Sequence, residues 1–159
     1  MPSREERLEE IARLAVQMEA RTGLPAQLTV AQWAVESEWG AKPVGQANYF
    51  GMKKANRHEK CATQITHEVE GGKRVLKTCK FADYNSLEES TNDYAQLITA
   101  GYPYRDAWSK YKTSGSLGQL IQGVTNVYAG DKYAPLAYQI ANQRNVTQAI
   151  AKARQETGK

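Results

Sequence analysis

The chain has 159 residues, 41% of them hydrophobic and 24% charged, with a formal net charge of +4 at pH 7. That size fits one domain, residues 1–159, with a core of its own, and the composition excludes a low-complexity, collagen-like or disordered polypeptide. No window approaches the ~18 consecutive apolar residues of a membrane span, and the charged opening MPSREERLEE has no apolar signal-peptide core, so a water-soluble domain without membrane insertion is expected.

In chain order, Leu8, Ile11, Leu14, Ala15 and Met18 recur at helical spacing, which predicts an amphipathic helix over residues 4–21 that stops at Gly23. Pro25 suits a first helical position, and Leu28, Ala31, Val35 and Trp39 repeat by three and four up to Gly40, predicting a second helix. Residues 41–60, with Pro43, Gly45 and Gly51, lack a period and read as a structured loop. From Cys61 to Phe81, runs of Thr, Ile and Val flank Glu70-Gly71-Gly72-Lys73, which predicts a two-stranded antiparallel hairpin. Helices resume at Ser86, where Ser86 and Glu89 have capping-box spacing and Leu87, Tyr94, Leu97 and Ile98 form a face up to Gly101. A short segment from Tyr104 to Tyr111 carries Trp108. Ser116 and Gln119 then open a helix whose face is Leu117, Leu120, Ile121, Val124 and Val127, and two more helices follow near Pro135–Gln143 and Val146–Gln155. The fold class expected is α+β and mainly α, with the hairpin at about 61–81 as its one β element.

Two cysteines, Cys61 and Cys79, flank the hairpin. A two-residue turn at Gly71-Gly72 sets Gln64 opposite Cys79, so a Cys61–Cys79 disulfide needs a longer turn or a bulge. The alternatives are two reduced thiols, or a zinc site assembled from His58, Cys61, His67 and Cys79, whose spacing matches no common zinc motif.

The positive charge favours anionic partners such as nucleic acid, phospholipid surfaces or bacterial wall polymers. Lys and Arg are scattered, however, and no basic recognition helix is present, so no nucleic-acid partner is expected. No nucleotide loop, serine triad or cofactor motif occurs either.

Glu36 stands out, in the last turn of the second helix beside the stripe Leu28, Ala31, Val35 and Trp39. Unpaired carbonyls at a helix C-terminus and partial burial both favour the protonated carboxyl, which is what a general acid for acetal cleavage requires. The neighbouring Glu38 points elsewhere. On physics alone, a lone half-buried glutamate is more often a structural hydrogen-bond partner.

Four motifs extend that reading. Glu36-Ser37-Glu38-Trp39-Gly40 and Asn48-Tyr49-Phe50-Gly51-Met52-Lys53 resemble the E-S-x-W-G and N-x-F-G-x-K signatures of glycoside hydrolase family 73, the glucosaminidase domains. Phe81-Ala82-Asp83-Tyr84-Asn85-Ser86, leading to Asp93-Tyr94, is similar to the family's F-R-x-Y-x-S segment and D-Y helix. Tyr128-Ala129-Gly130-Asp131-Lys132-Tyr133-Ala134 is similar to its Y-A-T-D-P-x-Y-A segment. The resemblance spans roughly residues 5–145. It departs from the pattern at Gly130-Asp131-Lys132, which lacks the proline, and at Ala82, which replaces an arginine.

The resemblance implies a lysozyme-like helical body with a small β-hairpin lobe over a glycan-binding cleft. It implies hydrolysis of the β-1,4 bond after N-acetylglucosamine in the glycan strand of peptidoglycan, without a cofactor or metal, by a monomer acting in the periplasm, cell wall or extracellular space. Glu36 takes the general acid's position. Glu68, in Thr66-His67-Glu68, stands where the family carries a second functional glutamate, with Glu70 as competitor and an exposed strand charge as the plain alternative. Tyr128 is expected to contact sugar. Tyr133, Tyr49, Phe50, Trp39 and Trp108 are candidates for lining the cleft or, equally, for packing the core. Asn48 and Gly51 are expected to shape the loop beside Glu36. Rival readings are a lytic transglycosylase, which uses one glutamate and forms an anhydro sugar, and a non-catalytic wall-binding domain that keeps the cleft.

Overall fold

A computed structural model describes residues 1–62, 66–70, 73–77, 80–128 and 133–158, with the backbone alone for 66–70 and 73–77. The first helix, α1 (Arg4–Thr22), begins where Ser3 Oγ accepts the Glu6 N–H at 3.1 Å while the Glu6 carboxylate accepts the Ser3 N–H at 3.2 Å. These reciprocal bonds satisfy two amides that the helix itself leaves unpaired. Gly23, at φ +82°, ends it in the left-handed conformation, as its position in the sequence predicts.

The second helix, α2 (Ala26–Ser37), forms the centre of the molecule. From Leu28 through Ala34 every residue is buried, on all sides of the helix, against α1 and the later helices α3 (Leu87–Ala100), α6 (Ala134–Ala141) and α7 (Arg144–Thr157). A helix covered on every side is held rigidly, which suits it to position Glu36 in its final turn. It stops three residues before Gly40. Ser37 is the reason: its buried hydroxyl donates to the Trp33 carbonyl at 2.6 Å and accepts the Gly40 N–H at 2.9 Å. Glu38, Trp39 and Gly40 then all take positive φ, at 50°, 59° and 81°. A β-carbon on Gly40 would lie 2.6 Å from the Trp33 ring, so the chain turns there only because that residue has no side chain.

The loop 41–60 is ordered by two polar side chains. Asp83 accepts backbone N–H groups of Gln46, Ala47 and Tyr84, and Asn48, fully buried, bonds to four backbone groups described below. The hairpin has two ladders: β1 (Cys61–Ala62) with β4 (Phe81–Ala82), and β2 (Thr66–Glu70) with β3 (Lys73–Lys77). Glu70 pairs Lys73 and Cys61 pairs Ala82, so both ladders keep the register of a two-residue connection. Cys61 is disulfide-bonded, while Cys79 lies outside the described residues. The zinc reading fails on its described members, because Cys61 is committed to that bond and both His58 ring nitrogens are engaged by Ala55 and Asp93.

Helix α3 starts at Ser86, whose Oγ accepts the Glu89 N–H at 3.2 Å; the Glu89 carboxylate reaches back to Asn85 N–H, one residue beyond the usual capping-box partner. A 3-10 turn at Tyr102–Tyr104 leads into α4 (Arg105–Ser114), then α5 (Leu117–Tyr128), α6 and α7. Val127 departs from the expected apolar face of α5: it is 48% exposed. No helix among the described residues is long and apolar enough to cross a membrane. Replacing Gly40 by Ala adds a clash to a φ that L residues disfavour by ~1–2 kcal/mol, so Gly40→Ala should lower the melting temperature by several degrees or more; an unchanged thermal transition would contradict this account of the turn.

Candidate active site

Glu36 opens into a cleft of about 440 Å³, lined also by Gly51, Met52, Lys53, Arg57 and Tyr128. Phe81 from the base of the hairpin, Leu97 from α3, Pro103, Tyr104 and the exposed Val127 supply much of the apolar part of its wall. The cleft thus lies between the helical body and the hairpin, with Glu36 supplied by the most deeply buried helix.

Two contacts fix the carboxyl. The Tyr133 hydroxyl, at the start of α6, donates to Glu36 Oε1 at 2.9 Å. Gly51, at φ +63°, passes so close that a β-carbon there would lie 2.4 Å from Glu36 Oε2. Burial raises the Glu36 pKa above the ordinary glutamate value, and the Tyr133 hydrogen bond opposes that rise without cancelling it. Burial first, and then the neighbouring Glu36 carboxylate, push the Tyr133 phenol far above its usual range, so it remains a donor at any pH of interest.

Beneath Gly51 lies a support built from Asn48. Its Nδ2 donates to the carbonyls of Met52 at 2.9 Å and Ala82 at 2.8 Å, and its Oδ1 accepts the N–H groups of Phe50 at 3.3 Å and Met52 at 3.1 Å. One side chain therefore ties the loop to the hairpin base and leaves no free group for a sugar. Phe50 is fully buried and stacks on Tyr94 with ring centroids 4.5 Å apart. Tyr128 donates its hydroxyl to the Phe50 carbonyl while lining the cleft.

The sequence-derived site thus divides. Glu36, Gly51, Tyr128 and Tyr133 come together. Asn48 and Phe50 lie under the cleft and act through the backbone. Trp39 packs edge-on against Trp33 and takes the Arg4 guanidinium 4.9 Å above its ring, while its carbonyl accepts from Arg7 Nε. Tyr49 faces a separate crevice beside Arg7 and Glu10 of α1, and Trp108 is buried under Gly23. Neither tryptophan reaches the cleft. Glu68 pairs with Val75 in the hairpin backbone; its side chain, like that of Glu70, lies outside the described residues.

A cluster missed in the sequence adjoins the site. Asp93 accepts from Arg57 Nη1, from the Tyr84 hydroxyl and from His58 Nε2 at 2.9 Å. His58 Nδ1 accepts the Ala55 N–H at 2.8 Å, which assigns the ring proton to Nε2. Burial pushes the Asp93 carboxyl up, yet the bonds from Arg57, Tyr84 and His58 together hold it below the usual aspartate range. The signal was divided between Arg57 and Asp93, 36 residues apart, with no local period to link them.

Comparison with known proteins identifies the family and the fold. The family model Glucosaminidase, described as mannosyl-glycoprotein endo-beta-N-acetylglucosaminidase, matches residues 12–157, and the chain belongs to that family, the glucosaminidase domains of glycoside hydrolase family 73. It is 33% identical over 141 residues to the peptidoglycan hydrolase FlgJ of Pseudomonas aeruginosa, covering 84% of this chain and 35% of that protein. The chain therefore spans about a third of the length of that relative. The solved catalytic domain of the autolysin Auto from Listeria monocytogenes superposes with a TM-score of 0.72 at 25% identity, over 94% of this chain and 89% of that one. A truncated glycoside hydrolase domain of Salmonella typhimurium FlgJ gives 0.70 at 25%, over 89% and 97%. The fold is lysozyme-like.

Because its folded pKa is depressed, Asp93 contributes stability that is fully present above the unfolded aspartate pKa of about 3.9 and is lost as pH falls through the folded value. Asp93→Asn should therefore lower stability at neutral pH and flatten its decline below about pH 4, read by chemical denaturation across pH. An acid limb as steep as in the parent would show that Asp93 is not the group responsible.

Proposed function

We propose that this domain, residues 1–159 acting as one unit, hydrolyses the β-1,4 bond after N-acetylglucosamine in peptidoglycan, with Glu36 as the general acid. The observation that carries this reading is the Glu36 carboxyl, buried at the cleft wall, biased towards its protonated form, and oriented by Tyr133 and the missing side chain of Gly51. Because Oε1 accepts from Tyr133, the proton resides on Oε2, the oxygen against Gly51. A glycine there leaves room for the glycosidic oxygen to approach that proton. As the C1–O bond breaks, Oε2–H protonates the leaving oxygen; water then adds its oxygen to C1 and loses a proton.

Glu68 is our choice for the group that takes the water's proton, or that stabilises charge if the substrate's own 2-acetamido group attacks C1 first. Its place on the hairpin and its match to the family's second glutamate support it. Tyr128 offers an aromatic edge to the sugar on the floor of the cleft, close to Glu36. The cleft shares Pro103 and Val127 with a groove of about 770 Å³ between α4 and α5, a path suited to a polymer chain. The names of the relatives support peptidoglycan as the substrate, and with it action in the periplasm, cell wall or extracellular space; the domain is taken to act as a monomer. The reaction as written uses no cofactor.

Digestion of peptidoglycan followed by borohydride reduction and mass spectrometry tests the reading. Reduced N-acetylglucosamine ends are expected from the parent protein and none from Glu36→Gln; anhydro-muramic ends would assign a transglycosylase, and no cleavage on several wall types a binding domain. The same variant has a second signature. A carboxyl whose folded pKa is raised contributes stability that is present below its unfolded pKa and lost as pH rises through the folded one, so Glu36→Gln should melt higher than the parent on the alkaline side. A lower melting temperature there would make Glu36 a structural partner.

A further inference from the structure

The loop after Gly51 brings two cations to the cleft, Lys53 and Arg57, and the remaining charged group among its described lining residues is Glu36. Arg57 is anchored. Its Nη1 bonds to Asp93 Oδ1, and Asp93 is itself held by His58 Nε2 and the Tyr84 hydroxyl, so the guanidinium is fixed by a carboxylate that two further donors fix in turn. Of the three guanidinium nitrogens, Nη1 alone bonds to protein among the described residues, and the side chain is 47% exposed. The fork geometry of the group leaves several N–H donors for a ligand. Lys53 is exposed and has no ion pair among the described residues. A neutral polymer of N-acetylglucosamine offers these two cations hydroxyl and amide oxygens but no opposite charge, so partly burying them against it would leave much of their desolvation cost uncompensated. A strand that carries carboxylates would satisfy both.

We propose that Arg57, assisted by Lys53, is a specificity residue that binds a carboxylate carried by the glycan strand, so that the cleft selects the anionic polymer of the bacterial wall over the neutral β-1,4-linked N-acetylglucosamine chain. This rests on the reading of the cleft as a peptidoglycan-hydrolysing site. The carboxylate has two sources with the same chemistry: the acidic groups of the peptide stem, and the lactyl carboxylate of the muramic sugar, which is free where the stem has been removed.

Glu36→Gln protein, which binds without turnover, separates the possibilities by calorimetric titration with three tetrasaccharides: one bearing stems, one stripped to its lactyl carboxylates, and one of N-acetylglucosamine alone. The stem-bearing ligand should bind roughly tenfold or more tighter than the neutral one at low salt, with the gap closing as salt rises. Adding Arg57→Gln should abolish the gap by weakening the anionic ligand only, while Arg57→Lys should retain part of it. If the stripped ligand stays tight, the lactyl group is the source; if it falls to the neutral level, the stem is. Equal affinity for all three ligands with Arg57 present overturns the proposal, and so does an equal loss on all three when Arg57 is removed, which would mark a purely structural role through Asp93. Should Arg57→Gln fail to fold, Lys53→Gln carries the test, since that exposed side chain supports nothing: a narrower gap supports the proposal and an unchanged one overturns it. Failure of all three to bind would instead remove the hydrolase reading on which the proposal stands.

Discussion

Everything about the site depends on how closely the loop backbone at Gly51 approaches the Glu36 carboxyl. A β-carbon at that position would stand 2.4 Å from Oε2, inside any permissible contact, so loop and acid share their space only because one residue has no side chain. The approach is set from both sides. On one, α2 is packed on all faces and ended by Ser37, Glu38, Trp39 and Gly40, so Glu36 has little freedom to retreat. On the other, the four bonds of Asn48 hold Phe50, Met52 and Ala82 in a single arrangement beneath the loop. The E-S-x-W-G and N-x-F-G-x-K segments are thus two halves of one clamp, and most of their residues act by placing a backbone.

The carboxyls of the domain show how environment sorts identical chemistry. Asp83 accepts three backbone N–H groups beside Lys60, and Asp93 accepts from Arg57, Tyr84 and His58; burial raises both, but those partners outweigh it and keep both low. Glu36 has one hydroxyl donor and no adjacent cation bonded to it among the described residues, so burial prevails and its pKa rises. Two carboxylates serve as fixed anions that organise the loop and the hairpin base, while the third is left able to hold and release a proton. The difference lies in the number of donors, which the fold controls, and the cleft needs all three.

Much of the architecture was legible in the sequence because helix periods and caps are local. The Ser86 cap, the stop at Gly23 and the placement of Glu36 beside an apolar stripe follow from spacing alone. The end of α2 was misread by three residues because Ser37 closes the helix with its own side chain, an option that apolar periodicity does not register. Aromatic residues were ambiguous for a different reason. Phe50, Trp39 and Trp108 have the composition of a sugar-binding surface, but burial and cross-chain packing decide their place, and these are tertiary properties. Val127 shows the converse: a residue on an apolar helical face that the fold exposes at the cleft wall. The Arg57 to Asp93 anchor had no sequence signature at all, since it pairs a loop with a helix across the hairpin.

The most direct test is carbon-13 NMR titration of the glutamate side-chain carboxyls in the free protein, with the Glu36 resonance identified by its loss in Glu36→Gln. The Glu36 midpoint should lie above the 4.5 of an ordinary glutamate, because burial outweighs the Tyr133 hydrogen bond. A midpoint at or below 4.5 would mean that Glu36 is ionised wherever the cleft is open to substrate, and the general-acid role derived from its burial would be wrong.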